Sequence, residues 1–216
     1  MKKAFTMLEL IFIIILIGIL VTVVIPRTGS NKLQEAATQV VSHIRYTQHL
    51  AMVDDKFDAN DANWYKNRWQ IFFASTEGSS GEWAYSIFSD SSGRSTGNPD
   101  ETELAINPLD RSKYLTGGYS AGIIPFGHPK VTKELNLGKE YDVKNIVFSN
   151  SCSITKSTRI AFDYLGRPLR GAFYNYNSAY PAKNRLITTQ CTITLSNNSK
   201  SIVIAIEPET GYSHIL

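Results

Sequence analysis

Residues 5–25 read FTMLELIFIIILIGILVTVVI, an apolar run of 21 residues with one charge, Glu9. Coiled into an α-helix the run would be about 31 Å long, close to the thickness of a bilayer's hydrocarbon core. Lys2 and Lys3 precede it, and Arg27 and Lys32 follow it. Basic residues on both sides say little about orientation. A cleavable secretory signal would carry a shorter apolar stretch and then a small-residue cleavage site. Here the run continues to Pro26 without one. The sequence therefore predicts a membrane-spanning helix over residues 5–25. A plain anchor leaves Glu9 unexplained, because a carboxylate at bilayer depth is costly and normally has a partner.

Past the run, Pro26 lacks a backbone donor and predicts a kink, which Gly29 and Ser30 would loosen further. Apolar residues then recur at Leu33, Ala36, Ala37, Val40, Val41, Ile44, Ala51 and Met52. This spacing predicts an amphipathic helix with one buried stripe, continuous with the first half and ending near Asp54. From there the chain changes character. Short stretches rich in aromatic and β-branched residues, split by Gly, Asn, Ser and Pro, predict strands. They fall at Trp69–Ala74, Trp83–Phe88, Val131–Leu137, Val143–Phe148, Arg159–Phe162, Leu169–Tyr174, Leu186–Leu195 and Ser201–Ile206. Residues 89–112 read as a long surface loop. The expected fold class is α+β: a long N-terminal membrane-spanning helix packed on an antiparallel β domain, a sandwich. Residues 5–25 are its membrane half, 26–53 its amphipathic half and 54–216 the β-rich domain.

Composition supports a folded chain. Of its 216 residues 43% are hydrophobic and 19% charged, which excludes a disordered polar chain and a polytopic membrane protein. Charge is uneven. Residues 144–200 carry net +7, with Asp163 the sole acid, while residues 54–100 carry net −4.

Glu9 gains a reason when its surroundings, Met1-Lys2-Lys3-Ala4-Phe5-Thr6-Met7-Leu8-Glu9, are taken together. The stretch resembles the prepilin signal of type IV pilins and type II secretion pseudopilins. Phe5 through Glu9 match that pattern residue by residue, and Gly18 and Pro26 stand where the family tends to have Gly and Pro. Ala4 departs from the usual Gly. The resemblance implies a leader of residues 1–4, cleavage between Ala4 and Phe5 by a prepilin peptidase, and N-methylation of Phe5. It also implies that Glu9 pairs in a fibre with the N-terminal amine of a neighbouring subunit, so that two charges costly to bury singly become a pair. Two later segments, Ile160-Ala161-Phe162-Asp163-Tyr164-Leu165-Gly166-Arg167-Pro168 and Ile202 to Tyr212, look like those of H-type minor pseudopilins and related minor pilins.

The function so implied is that of a minor subunit of a pilus-like fibre in type II secretion or natural transformation. Its expected place is the bacterial inner membrane, single-pass, with the β domain in the periplasm. Its partners would be other pilin or pseudopilin subunits, the peptidase, an inner-membrane assembly platform and, in the alternative reading, DNA. In that location Cys152 and Cys191 are expected to be disulfide-bonded, two buried free thiols being the alternative.

The DNA alternative rests on the +7 segment. Arg159, Arg167, Arg170, Lys183 and Arg185 are interleaved with Tyr164, Phe173, Tyr174, Tyr176 and Tyr180. Cations neutralise phosphates and exposed aromatics stack on bases. Gly166-Arg167-Pro168-Leu169-Arg170 loosely resembles the Gly-Arg-x-Arg motif of DNA-uptake minor pilins, with one extra residue between the arginines. A solvated basic face meeting acidic subunits is the competing explanation.

No enzyme is expected. There is no H-E-x-x-H, G-x-S-x-G, Walker or G-x-G-x-x-G motif, and His43 and His49 are six apart rather than four. The acidic stretch at 54–63 lacks the glycine and closing glutamate of an EF-hand, so no metal or other cofactor is expected.

Overall fold

The computed structural model describes residues 6–24, 31–91, 97–120, 122–179 and 185–216. The chain divides into two compact units, 1–32 and 33–216. Ala4, Phe5, Pro26, Gly29 and the predicted kink lie outside the described residues.

The first unit holds α1, Met7–Val24, of 18 residues. Its large side chains are exposed on every side, from Met7 at 81% and Leu8 at 78% down to Ile13 at 41%. Consecutive residues Leu10 to Ile17 are all in this exposed set, and eight successive helical positions go twice round the axis. The helix therefore has no polar face.

The second unit holds all but the first residue of α2, Lys32–Val53, whose buried residues are Leu33, Ala36, Ala37, Val40, Val41, Ile44, Thr47 and Ala51. Eight strands follow among the described residues. β1 (Trp69–Ser75), β2 (Trp83–Ser89), β4 (Arg159–Phe162) and β5 (Pro168–Arg170) form one sheet in the order β2-β1-β4-β5. β3 (Asn145–Phe148), β6 (Cys191–Ser196), β7 (Ser201–Ile206) and β8 (Ser213–Ile215) form the other in the order β3-β6-β7-β8. Every pairing is antiparallel. Both sheets feed one core with α2: Ile71, Phe73, Ile160 and Phe162 from the first, Ile146, Ile193, Leu195 and Ile204 from the second. The apolar stripe of α2 thus closes over both sheets, which explains why its helical period was so legible.

Four expectations need correction. Among the described residues the expected long N-terminal helix is absent: there are two helices, α1 and α2, with residues 25–31 between them, and only α2 lies in the unit that holds the sheets. The membrane span is not upheld either. α1, at 18 residues, would reach only about 27 Å. Among the described residues no helix is long and apolar enough to cross a membrane, so the single-pass inner-membrane placement loses its basis.

Third, three strand predictions fail in part. Residues 131–137 make an isolated bridge at Val131, a 3-10 turn at Lys133–Leu135 and the start of the short helix α3, Leu137–Tyr141. Asn136 caps that helix by accepting the Lys139 amide. Phe173–Asn175 is a 3-10 turn, and Leu186 makes only a bridge, to Leu169. The loop at 89–112 is also less superficial than expected, since Glu103, Leu104 and Ala105 are buried.

Candidate functional site

α1 starts from Thr6. Its amide and hydroxyl donate to Oε2 of Glu9 at 2.9 and 2.8 Å, and the Glu9 amide donates back to the Thr6 hydroxyl at 3.3 Å. This is a capping box, in which two orphan amides of the first turn are satisfied reciprocally. The T-x-x-E signature is present in the sequence, and the expectation for Glu9, a neighbouring subunit's amine, did not include this local partner. Only Oε2 is used, and Oε1 has no partner among the described residues. The box fixes the rotamer of Glu9 beside the first turn, and the partial positive charge of the helix N-terminus favours its carboxylate form.

The two later segments of the pilin-like pattern meet at one residue of α2. Gln48 Nε2 donates to Gly166 O at 2.8 Å and to Thr210 O at 2.7 Å. Gly166 has φ +78 and faces the Gln48 and Met52 side chains so closely that a Cβ would press on both. Asp163 organises the first of these turns. Its Oδ1 accepts the Leu165 and Arg167 amides at 3.0 and 2.9 Å, and its Oδ2 accepts Arg167 Nε at 2.7 Å. Spacing alone gave no reason to single out Gln48.

The basic segment is tied into the fold. Arg159 is 5% exposed. Its guanidinium donates to Gln70 Oε1 at 3.2 Å, to Gly97 O and to Asn98 Oδ1 at 3.3 Å, and lies 3.9 Å from the Phe72 ring centroid. Burial lowers its pKa from the ordinary value. Arg167 is paired with Asp163. Arg170 donates to Asn150 O and Ser151 O at 2.7 and 2.9 Å. Arg185 stacks 4.5 Å from the Tyr176 centroid. Phe173 and Tyr176, expected as stacking platforms, are core residues. Lys183 and Tyr180 lie outside the described residues. The structure therefore brings Arg170, Tyr176 and Arg185 together, and leaves Arg159 in the interior where a phosphate does not reach.

Cys152 and Cys191 form the expected disulfide, 39 residues apart, with their Cα atoms 4.9 Å apart. Bond formation joins the turn after β3 to the start of β6, and both residues are fully buried. Around residues 54–63 the carboxylates serve the loop itself. Asp54 pairs with Lys56 and accepts Trp69 Nε1, while Asp58 and Asp61 each accept an amide two residues on.

A cleft of about 680 Å³ opens between the outer face of α2 and residues 107–113 and 132–135. Gln39 and His43, which line it, belong to a half-buried polar chain that no sequence motif announced. Tyr141 donates to Gln39 Oε1 at 2.8 Å. Gln39 Nε2 donates to Glu134 O at 2.8 Å and to the Tyr85 hydroxyl at 2.9 Å. Both hydrogens of that amide are then spent, so the Tyr85 hydroxyl must give its own proton to His43 Nδ1, 2.7 Å away. The network assigns His43 the Nε2–H tautomer. Burial lowers its pKa to about 4, and burial raises that of Tyr85. At neutral pH the imidazole is uncharged and its acceptor nitrogen is occupied. It can offer a hydrogen bond through Nε2–H and cannot take a proton at Nδ1.

No protein-family model, no curated protein and no solved structure matches this chain.

Proposed function

We propose that the protein is a structural subunit of a pilus-like fibre, assembled through α1 and processed between Ala4 and Phe5. The observation that carries this reading is α1 itself. Eighteen residues coil into a helix that is apolar on all sides, while the one element able to neutralise a charge, Glu9, sits in its first turn. A helix apolar all round needs cover all round. Copies of α1 packed together supply that cover. The capping box uses only Oε2 of Glu9, so in the assembled fibre Oε1 is left for the amine of a neighbour's processed N-terminus, a pair that offsets the desolvation of both charges. The β domain, closed over α2 with its own core, is then carried by the assembly. The DNA alternative draws no support from the arginines, since each described one is engaged within the fold.

Intact-mass analysis of the chain isolated from the cells that make it tests the proposal. Loss of residues 1–4 with one added methyl group is the expected result. A chain retaining Met1, or cut near residue 25, rejects it.

A further inference from the structure

Two four-stranded sheets present four outer edges, on β2, β5, β8 and β3. The chain pairs two of them with its own backbone and meets a third at a single carbonyl. Along β2, Ile87 N donates to Leu115 O at 2.9 Å, Ala105 N to Ile87 O at 2.9 Å and Gly117 N to Tyr85 O at 3.1 Å. Along β5, Arg170 N donates to Arg185 O at 2.9 Å and Ile187 N to Pro168 O at 3.0 Å. On β8, the Arg45 guanidinium of α2 donates twice to Ser213 O, at 3.1 and 2.6 Å.

β3 differs. Val147 stands opposite Thr194, and Ser149 N donates to Thr192 O at 2.9 Å. In an antiparallel ladder this register turns the backbone groups of Asn145 and Val147 toward β6 and those of Ile146 and Phe148 away from it. Among the described residues nothing bonds the N–H or C=O of Ile146 or Phe148. Uncovered edges invite another strand, and folds usually blunt them.

A groove of about 440 Å³ runs along this edge, with Ile146, Val147 and Phe148 on one side and Ser153, Thr155 and Lys156 on the other. The far side is held out by a tight turn. Ser157 N donates to Ile154 O at 3.0 Å, and Thr155 and Lys156 both have positive φ, 53 and 60. That is the geometry of a type I′ turn, normally made by Asn and Gly. A β-branched residue there is strained, and such strain is often kept for a purpose. The turn sets Lys156 at the rim of the groove. Lys156 is exposed and makes no ion pair among the described residues. No carboxylate lines the groove.

We propose that this groove takes an extended segment of a partner polypeptide, which adds as a fifth strand beside β3 and sets an acidic side chain against Lys156. Four free backbone groups, two N–H and two C=O, supply the register. The strand's four residues span about 14 Å, enough for a short peptide. Val147, 51% exposed, supplies apolar contact for alternate residues of the incoming strand. The proposal uses no part of α1 and stands apart from the fibre reading.

The test is a titration of the full-length chain, isotope-labelled and in detergent micelles, with a capped peptide of sequence Thr-Val-Glu-Val-Thr-Val-Glu and with its lysine counterpart. The acidic peptide should slow amide exchange at Ile146 and Phe148 and leave Asn145 and Val147, already bonded to β6, as they were. Lys156→Glu should weaken the acidic peptide about threefold and reverse the preference, the size expected of one exposed ion pair. Lys156→Gln, which only removes the charge, should bind the two peptides equally. Unchanged exchange at Ile146 and Phe148 overturns the proposal, as does equal binding of both peptides by the unaltered chain. Slowed exchange without peptide, growing with protein concentration, overturns it too and gives the edge to a second copy.

Discussion

Acidification should weaken the fold through His43. In the folded chain its pKa is about 4, because burial penalises the imidazolium. In the unfolded chain it returns to about 6.5. Between these values the unfolded state binds the proton and the folded state does not, so stability rises with pH across this window. The stabilisation is fully present above about pH 6.5 and is lost as pH falls toward 4, below which it changes no further. A difference of about 2.5 units at 1.36 kcal/mol each is about 3 kcal/mol, a large share of the 5–15 kcal/mol typical of a domain. Carboxylates titrate in the same range, so the effect must be isolated. His43→Gln retains an acceptor for the Tyr85 hydroxyl and cannot titrate. Urea unfolding of both chains from pH 7.5 to 4 should show the native chain losing about 3 kcal/mol more than the variant. Parallel pH profiles for the two chains, or a His43 titration observed near pH 6.5, would refute the buried-network argument.

Replacing Cys152 and Cys191 together by Ala opens a loop of about 40 residues and should cost about 4 kcal/mol in the chain-entropy account; denaturant unfolding checks it, and an unchanged midpoint denies the bond a stabilising role. Arg159→Ala leaves Gln70, Asn98 and the Gly97 carbonyl short of a donor and should cost about 3 kcal/mol, read as a lowered Tm; a variant of native stability would mean the guanidinium is not committed to the interior.

What could be read from the sequence divides along physical lines. Period-driven elements were plain. The α2 stripe and the strands Arg159–Phe162 and Ser201–Ile206 fall where their residues predicted: α2 buries one face, Arg159–Phe162 is buried at every position, and Ser201–Ile206 is buried over its last three residues. Val131–Leu137 has strand-like composition, yet its backbone turns to let Asn136 cap α3 and donate to Ser79 O and Gly117 O. Tertiary hydrogen bonding outweighs a weak strand preference there. The membrane span was inferred from the apolar length of residues 5–25, of which α1 takes 18 residues, Met7–Val24. Glu9 stands out as the single charge of the apolar run, and the Thr6-x-x-Glu9 spacing that makes its capping box is legible in the same residues. In the basic segment, charge counting could not see that Arg159 points inward over Phe72 or that Arg185 lies on Tyr176. The Gln39–Tyr85–His43 chain joins residues 42 to 46 apart with no motif, and only the fold brings them together.

The central claim is that copies of α1 pack against one another with Glu9 neutralising a neighbour's amine. Both native cysteines are in the disulfide, so Ile14→Cys places a unique thiol midway along α1. Cross-linking this full-length variant with a short bismaleimide, in the cells that process it, is the most direct measurement. The account predicts a ladder of cross-linked species that disappears when Glu9 is also changed to Ala. Monomer alone in the Ile14→Cys protein, or a ladder indifferent to Glu9→Ala, would contradict it.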